Sequence, residues 1–292
     1  MLAAALDSLI NRSLSAPDAS GWPAGTRLVD TRIGRLRVLD TGGKGPVVLM
    51  VPDGPNVIEH HAAVIERLRP HARVICFDLP GFGQSKPAPG YGHRLQEGAG
   101  AVLAVMDELD IREAALHFSC ANGLYAIAAA KAAPHRIRRL LLCQTPSMPA
   151  MRAWTQKNVP KPLQVPVVGQ LLMRASRRRF ASVWYGIALP DRSRFDEFLA
   201  PADHSLTHGG CFCLAGVVQG LSQARDGELD GVKTPTLLVW GERDRSHRRT
   251  PPDSLQELLP QARVERFADC GHFPDLEQPQ RYAELALATL NA

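Results

Sequence analysis

The sequence predicts an α/β protein: a mostly parallel sheet with helices on both faces and an inserted helical lid. Three observations predict it. Short continuous apolar runs bounded by Gly, Pro, Asn or Asp recur along the chain and suit strands buried on both faces. Segments with helical apolar spacing separate them, and such alternation means right-handed crossovers in a parallel sheet. Between about Thr145 and Asp226 the rhythm breaks into a stretch that is helical in pattern and too long for an ordinary connection.

The first 14 residues, MLAAALDSLINRSL, lack a basic leader, and Asp7 interrupts their short apolar run, so they read as an amphipathic helix and not as a signal peptide. A Pro/Gly/Ser-rich linker, SAPDASGWPAG, follows. RLVDTRIGRLRVLDTGG alternates apolar and polar residues around a turn at Ile33-Gly34 and predicts a hairpin. Pro46 to Val51 is a buried strand ended by the breaker cluster PDGPN, and a helix follows from about Val57 to Leu68. RVICFD is a second buried strand, ended by LPGFGQS. Leu95 to Leu109 is a helix, AALHF a strand, GLYAIAAAKAA a helix closed by Pro134, and IRRLLLC a strand. After the lid, TPTLLVW is a strand, Ser254 to Leu259 a helix, ARVERF a strand, and Pro279 to Leu290 the last helix. The expected division is 1–145 for the first part of the core, 146–226 for the lid and 227–292 for the second part.

At 292 residues, with 45% apolar and 22% charged residues, the chain can bury a sizeable core and has no signature of disorder. Its formal charge of +5 is spread along the chain. The one dense cluster, Arg174, Arg177, Arg178 and Arg179, reads as a solvated helix face, which argues against a nucleic-acid partner. No apolar run approaches a membrane span. The six cysteines form no CxxC pair, so no zinc site is expected, and a reduced, cytoplasmic protein is. Nothing in the sequence sets an oligomeric state.

Four segments together resemble the α/β-hydrolase fold family, over roughly residues 25 to 292. VVLMVPDGP is similar to the family's strand and oxyanion turn, where relatives often show HG or HGGP. FDLPGFGQS matches its DxPGxGxS loop. LLVWGERD resembles the strand and turn that present the catalytic acid, and ADCGHFPDLEQPQRY the catalytic-histidine segment. The resemblance implies a nucleophile, an acid and a histidine in that chain order. His272 is the expected general base and Asp244 the acid that orients it; Asp226 and Asp230 are weaker because neither ends a strand.

The nucleophile is less regular. The family pattern is G-x-nucleophile-x-G, and this chain offers His117-Phe118-Ser119-Cys120-Ala121-Asn122-Gly123. With Cys120 at the turn, Gly123, Ala126 and Ala130 fall where the next helix must approach the sheet, whereas the Ser119 register puts Tyr125 there. Local bulk leans the other way, since Ala121 is smaller than Asn122. Cys120 is preferred, and Ser119 or an inactive elbow stays open.

The first reading is therefore a hydrolase or acyltransferase working without a cofactor or metal on an ester, thioester or lactone. Backbone N–H groups of Gly54 and Ala121 would hold the oxyanion. Asp53 stands where relatives tend to have Gly; it either contacts substrate or caps the turn. The lid residues Val167, Leu171, Leu172, Phe180, Trp184 and Tyr185 suggest a hydrophobic small-molecule substrate, although most suit the lid's own core. Two other readings stand beside it: a C–C hydrolase or cyclase on the same fold, and a ligand-binding protein without turnover. His60 and His61 read as a solvated helix face, and Cys211-Phe212-Cys213 as apolar packing.

Overall fold

A computed structural model describes residues 2–14 and 19–292; residues 15–18 of the expected linker lie outside the described residues. Helix α1 (Leu2–Arg12) comes first, then the hairpin β1 (Thr26–Thr31) and β2 (Gly34–Asp40). Next come β3 (Val47–Val51), a 3-10 turn at Ile58–His61, α2 (Ala62–Leu68), β4 (Arg73–Phe77) and the two-residue strands β5 (Phe82–Gly83) and β6 (Lys86–Pro87). The alternation continues with α3 (Leu95–Glu108), β7 (Ala114–Ser119), α4 (Asn122–Ala132) and β8 (Ile137–Cys143).

The sheet order is β1-β2-β4-β3-β7-β8, continued by β10 (Thr236–Gly241) and β11 (Arg263–Phe267), with β6 paired to β2. Pairing is parallel from β4 through β11 and antiparallel around β1, β2 and β6. Every residue of β7 and β10, and Val48 to Val51 of β3, is buried, as strands covered on both faces require. Helices α3 and α4 pack together over one face; α2 and α11 (Pro279–Asn291) pack together over the other. From β3 the chain runs outward to β4 and then returns to β7 on β3's opposite side. The carboxyl ends of β3 and β7 therefore flank a topological switch point, where open α/β sheets form their clefts.

Five helices between β8 and β10 form an inserted cap: α5 (Met148–Asn158), α6 (Lys161–Gln164), α7 (Val168–Ala188), α8 (Phe195–Thr207) and α9 (Leu214–Leu221). The two-residue strand β9 (Cys211–Phe212) pairs with β5 outside the main sheet and fastens the cap to the loop after β4. Cys211, Phe212 and Cys213 are buried there, as apolar packing requires. Among the described residues, no helix is long and apolar enough to cross a membrane.

Three sequence expectations need correction. Ser254–Glu257 is a single 3-10 turn in place of a full helix, and the expected loop before the last helix contains α10 (Pro274–Glu277). The His60–His61 face is not solvated. The His60 Nε2 atom lies 2.8 Å from the Phe198 carbonyl of the cap, and His61 is buried 3.7 Å from Asp275. Periodicity reported the helix there but not the cap that covers it.

Helix α1 is amphipathic, as expected, but inverted. Asp7, Ser8 and Asn11 face inward, while Leu2 and Leu9 are 73% and 60% exposed. The inward ridge meets polar partners: Gln170 donates to Asp7 at 3.2 Å, Asn11 to the Cys213 sulfur at 3.1 Å, and Ser8 to the Ala88 carbonyl at 3.3 Å. Burial pushes the Asp7 carboxyl up to about 6, against the pull of Gln170 and Cys213. A carboxyl raised on folding binds its proton more tightly in the folded state, so stability falls as pH rises from about 4 to 6 and the loss is complete above that. Asp7→Asn removes this cost. It is expected to raise Tm by about 3 °C at pH 8, from roughly 1–2 kcal/mol, and by nothing at pH 4. Thermal unfolding at the two pH values checks this; an equal shift at both would contradict it.

Candidate active site

Cys120 occupies the turn between β7 and α4 with φ +50°, a left-handed conformation that few non-glycine residues adopt. The turn is held from several sides. The Cys120 N–H donates to the Cys143 carbonyl at 2.8 Å, and the Cys120 carbonyl accepts from the Thr145 hydroxyl at 3.1 Å. Gly123 sits directly beneath: a Cβ there would fall 2.1 Å from the Thr145 hydroxyl oxygen, so only glycine fits. Ala126 and Ala130 are buried on the next turns of α4. Asn122, the bulky residue after the turn, donates from Nδ2 to the Pro52 carbonyl at 3.2 Å and so ties the elbow to the turn after β3. Ser119 ends β7 opposite Cys143 and does not line the cavity that Cys120 lines.

Asp244 and His272 come from loops after β10 and β11. Their contact is short: His272 Nδ1 lies 2.6 Å from Asp244 Oδ2. The same Oδ2 accepts from Gln144 Nε2 at 2.9 Å. Oδ1 accepts from the Ser246 N–H and hydroxyl, both at 2.7 Å. Burial alone would raise the Asp244 carboxyl, but the His272 charge and these donors hold it at about 2. Burial would likewise depress His272; the Asp244 charge overcomes it, Cys120 and Asp53 add to the rise, and the imidazole stands well above its ordinary value. The Cys120 thiol is raised by burial and then by Asp53, while His272 and the Ala121 N–H pull it back.

Two residues of this site escaped the sequence reading. Gln144 follows β8 with φ +49°, and its side chain bridges Asp244 to the Gly241 backbone, donating to the Gly241 carbonyl at 3.3 Å and accepting from its N–H at 2.8 Å. His247 stacks on His272 at 5.4 Å and on Trp154 of the cap at 5.0 Å. Burial pushes His247 down to about 3, so it stands as a neutral wall behind the imidazole. Its place three residues after Asp244 was the available signal.

Asp53 and Gly54 follow β3. Asp53 points into the cavity, and its Oδ2 lies 3.4 Å from His272 Nε2 without forming a hydrogen bond. A Cβ on Gly54 would collide with the Phe82 ring at 2.4 Å. Among the described residues, neither the Gly54 nor the Ala121 N–H donates to a backbone carbonyl, and both residues line the cavity.

The cavity measures about 440 Å³ and is walled by Phe82, Met148, Trp154, Phe180, Trp184 and Phe212, among others. Of the lid residues singled out from sequence, Phe180 and Trp184 line it. Leu171 is exposed, and Tyr185 is buried with its hydroxyl donating to Asn56 at 2.8 Å. The apolar wall fits a small hydrophobic substrate.

Three clusters among the described residues gather three potential metal ligands each: Cys120, His247 and His272; Asp7, His93 and Cys213; and His61, His117 and Asp275. Each contains atoms already held by protein partners beside others, His272 Nε2, His247 Nε2, His93 Nε2 and His61 Nδ1, that have no hydrogen-bond partner among the described residues. His272 Nδ1 is held by Asp244, Cys213 accepts from Asn11, and His117 lies 2.9 Å from Asp275 with its other nitrogen on the Tyr282 hydroxyl. The ligand atoms of Cys120, His247 and His272 lie within 4.8 Å of one another, which puts the sulfur beside the imidazole.

A profile of the alpha/beta hydrolase fold matches residues 46–279. The chain is 27% identical to a 2-hydroxy-6-oxononadienedioate/2-hydroxy-6-oxononatrienedioate hydrolase of Cupriavidus pinatubonensis, over 87% of this chain and 89% of that protein. In structure it is similar to epoxide hydrolase A of Mycobacterium thermoresistibile, with a TM-score of 0.76 and 18% identity, over 91% of this chain and 98% of the other. It also resembles an enol-lactonase of Burkholderia xenovorans, with a TM-score of 0.72 and 20% identity, over 91% and 100%. With a nucleophile–histidine–aspartate site at the switch point under an inserted cap, and with most of its length matched by the family profile, the chain belongs to the α/β-hydrolase fold family and is a hydrolase by its site.

Proposed function

We propose that the chain hydrolyses a hydrophobic ester, thioester or lactone through an acyl intermediate on Cys120. His272 takes the thiol proton as the sulfur attacks the carbonyl carbon, and the C=O pair moves onto oxygen, which the Gly54 and Ala121 N–H groups receive. When the carbonyl re-forms, the bond to the leaving oxygen or sulfur breaks and His272 returns the proton to it. Water then repeats the sequence: His272 takes its proton, the acyl group leaves as the acid, and the sulfur recovers a proton. Asp244 fixes the imidazole tautomer and stabilises its cation. One observation carries the reading: Cys120 stands at the left-handed tip of the elbow, lines the cavity, and has its sulfur beside the His272 ring.

Two further parts belong to the proposal. Residues 146–226 act as a cap domain that shapes the acyl site, between 1–145 and 227–292. Six buried, unpaired cysteines support a reducing, cytoplasmic setting.

The test is a panel of activated esters and thioesters of increasing acyl length. Turnover is expected to rise with chain length until the 440 Å³ cavity is filled. Trp184→Ala, which opens the wall where that ring meets His272 edge-on at 4.8 Å, is expected to shift the optimum to longer or bulkier chains. Absence of turnover across the panel, or an optimum unmoved in a folded variant, would contradict the assignment.

A further inference from the structure

Asp53 is a buried carboxylate whose hydrogen-bond partner the protein does not supply. It is 8% exposed and faces the cavity. Among the described residues, its ion-pair partner is His272 Nε2 at 3.4 Å, beyond the roughly 2.7–2.9 Å of a charged hydrogen bond. The two guanidinium groups lining the cavity are occupied elsewhere. Arg152 is held by Asp226 and the Ala224 carbonyl, and Arg245 by the Gly186 and Leu189 carbonyls. The Asp53 oxygens face a cavity whose wall is mainly apolar, so a hydrogen-bond donor for them enters with the contents of the cavity.

Its position fixes where that donor must lie. Asp53 immediately precedes Gly54, whose N–H faces the oxyanion in the mechanism above, and its carboxylate stands beside both His272 and Cys120. Burial raises the Asp53 carboxyl, against the pull of His272; in its ionised form it repels the developing oxyanion and competes with the sulfur for the imidazole proton. A donor on the substrate one or two bonds from the carbonyl removes both penalties, by engaging the carboxylate and drawing it off His272. A plain hydrocarbon acyl group leaves both in force.

We propose that Asp53 is a specificity-determining residue that selects acyl substrates carrying a hydroxyl or a protonated amine on the carbon α or β to the carbonyl. This rests on the acyl-transfer reading and assigns its substrate class. The donor binds the Asp53 carboxylate, the apolar remainder of the chain lies against Phe82, Phe212 and Trp184, and the carbonyl oxygen meets the two N–H groups.

The experiment compares kcat/KM for matched N-acetylcysteamine thioesters with the same chain length: unsubstituted, 2-hydroxy, 3-hydroxy and 3-amino. The wild-type enzyme is expected to favour at least one donor-bearing substrate by about tenfold or more. Asp53→Gly is expected to reduce that preference to within about twofold, chiefly by gaining activity on the unsubstituted chain. Asp53→Asn keeps the side-chain shape and an acceptor oxygen but loses the charge. It is expected to abolish a preference for the amine and to keep part of a preference for a hydroxyl, which separates the two sources of the donor. Equal wild-type rates on all four substrates, or a preference that survives in both variants, would overturn the proposal. Loss of all turnover in both folded variants would do so too, because Asp53 would then serve the chemistry itself. Cys120→Ala on the same substrates reads the other claim: turnover persisting there refutes the acyl intermediate whatever the preference shows.

Discussion

Cys120→Ala is expected to lower kcat/KM by about 10³-fold or more, while Ser119→Ala stays within about tenfold of the wild type. The asymmetry follows from the turn. Cys120 is the left-handed residue, and its neighbours are fixed by contacts that leave no second register. Gly123 abuts Thr145, Asn122 spans to Pro52, and the Cys120 N–H is tied to Cys143. Ser119 lies one residue earlier, in register with Cys143 on the adjacent strand and outside the cavity wall. Circular dichroism on both variants separates chemistry from folding. Retained turnover in Cys120→Ala with loss in Ser119→Ala would reverse the assignment.

Asp244→Asn is expected to cost about 10³–10⁴ in kcat, and His272→Ala a comparable amount. Asp244 accepts on both oxygens, from Ser246 on one side and from His272 and Gln144 on the other. An asparagine must turn its NH₂ toward one set of donors, so it cannot satisfy both. The pH profile carries a second signature. If Cys120 and His272 act as proposed, they are expected to titrate as a coupled pair, with an acid limb where a second proton is added and an alkaline limb where the shared proton is lost. Asp244, held at about 2, is ionised across the working range and raises the alkaline limb. Removing its charge lowers the imidazole pKa, so the alkaline limb of the residual activity is expected to move to lower pH. The sign for stability is linked: a histidine raised on folding stabilises fully below its unfolded pKa and loses this as pH rises through the folded value. Asp244→Asn is therefore expected to lose more stability near pH 6 than at high pH. An unshifted profile would mean that Asp244 does not act through His272.

The core was legible because its signals are local. The runs at Val47–Val51, Ala114–Ser119 and Thr236–Gly241 are apolar enough to be buried on both sheet faces, and each ends in a turn that carries a candidate site residue. The close approach of the elbow helix was legible for a related reason, since Gly123, Ala126 and Ala130 leave room only where the helix touches the sheet. What escaped depends on side-chain direction and on distant packing. Gln144 reaches Asp244 because its backbone turns left-handed after β8. His247 is a wall because Trp154 of the cap presses it against His272. His61, His117, Asp275 and Tyr282 meet beneath the site from four separate elements. Helix α1 buries its polar ridge because Gln170 and Cys213 answer it, which its own pattern does not reveal.

The identity of the acyl carrier decides the account most directly. A slowly hydrolysed thioester is incubated with the protein, quenched in acid within one turnover, and the protein is digested and read by mass spectrometry. The acyl mass is expected on the peptide that contains Ser119 and Cys120, with fragmentation assigning it to the Cys120 sulfur, and Cys120→Ala is expected to carry none. An acyl group on Ser119, or none on the protein while product accumulates, would contradict the account.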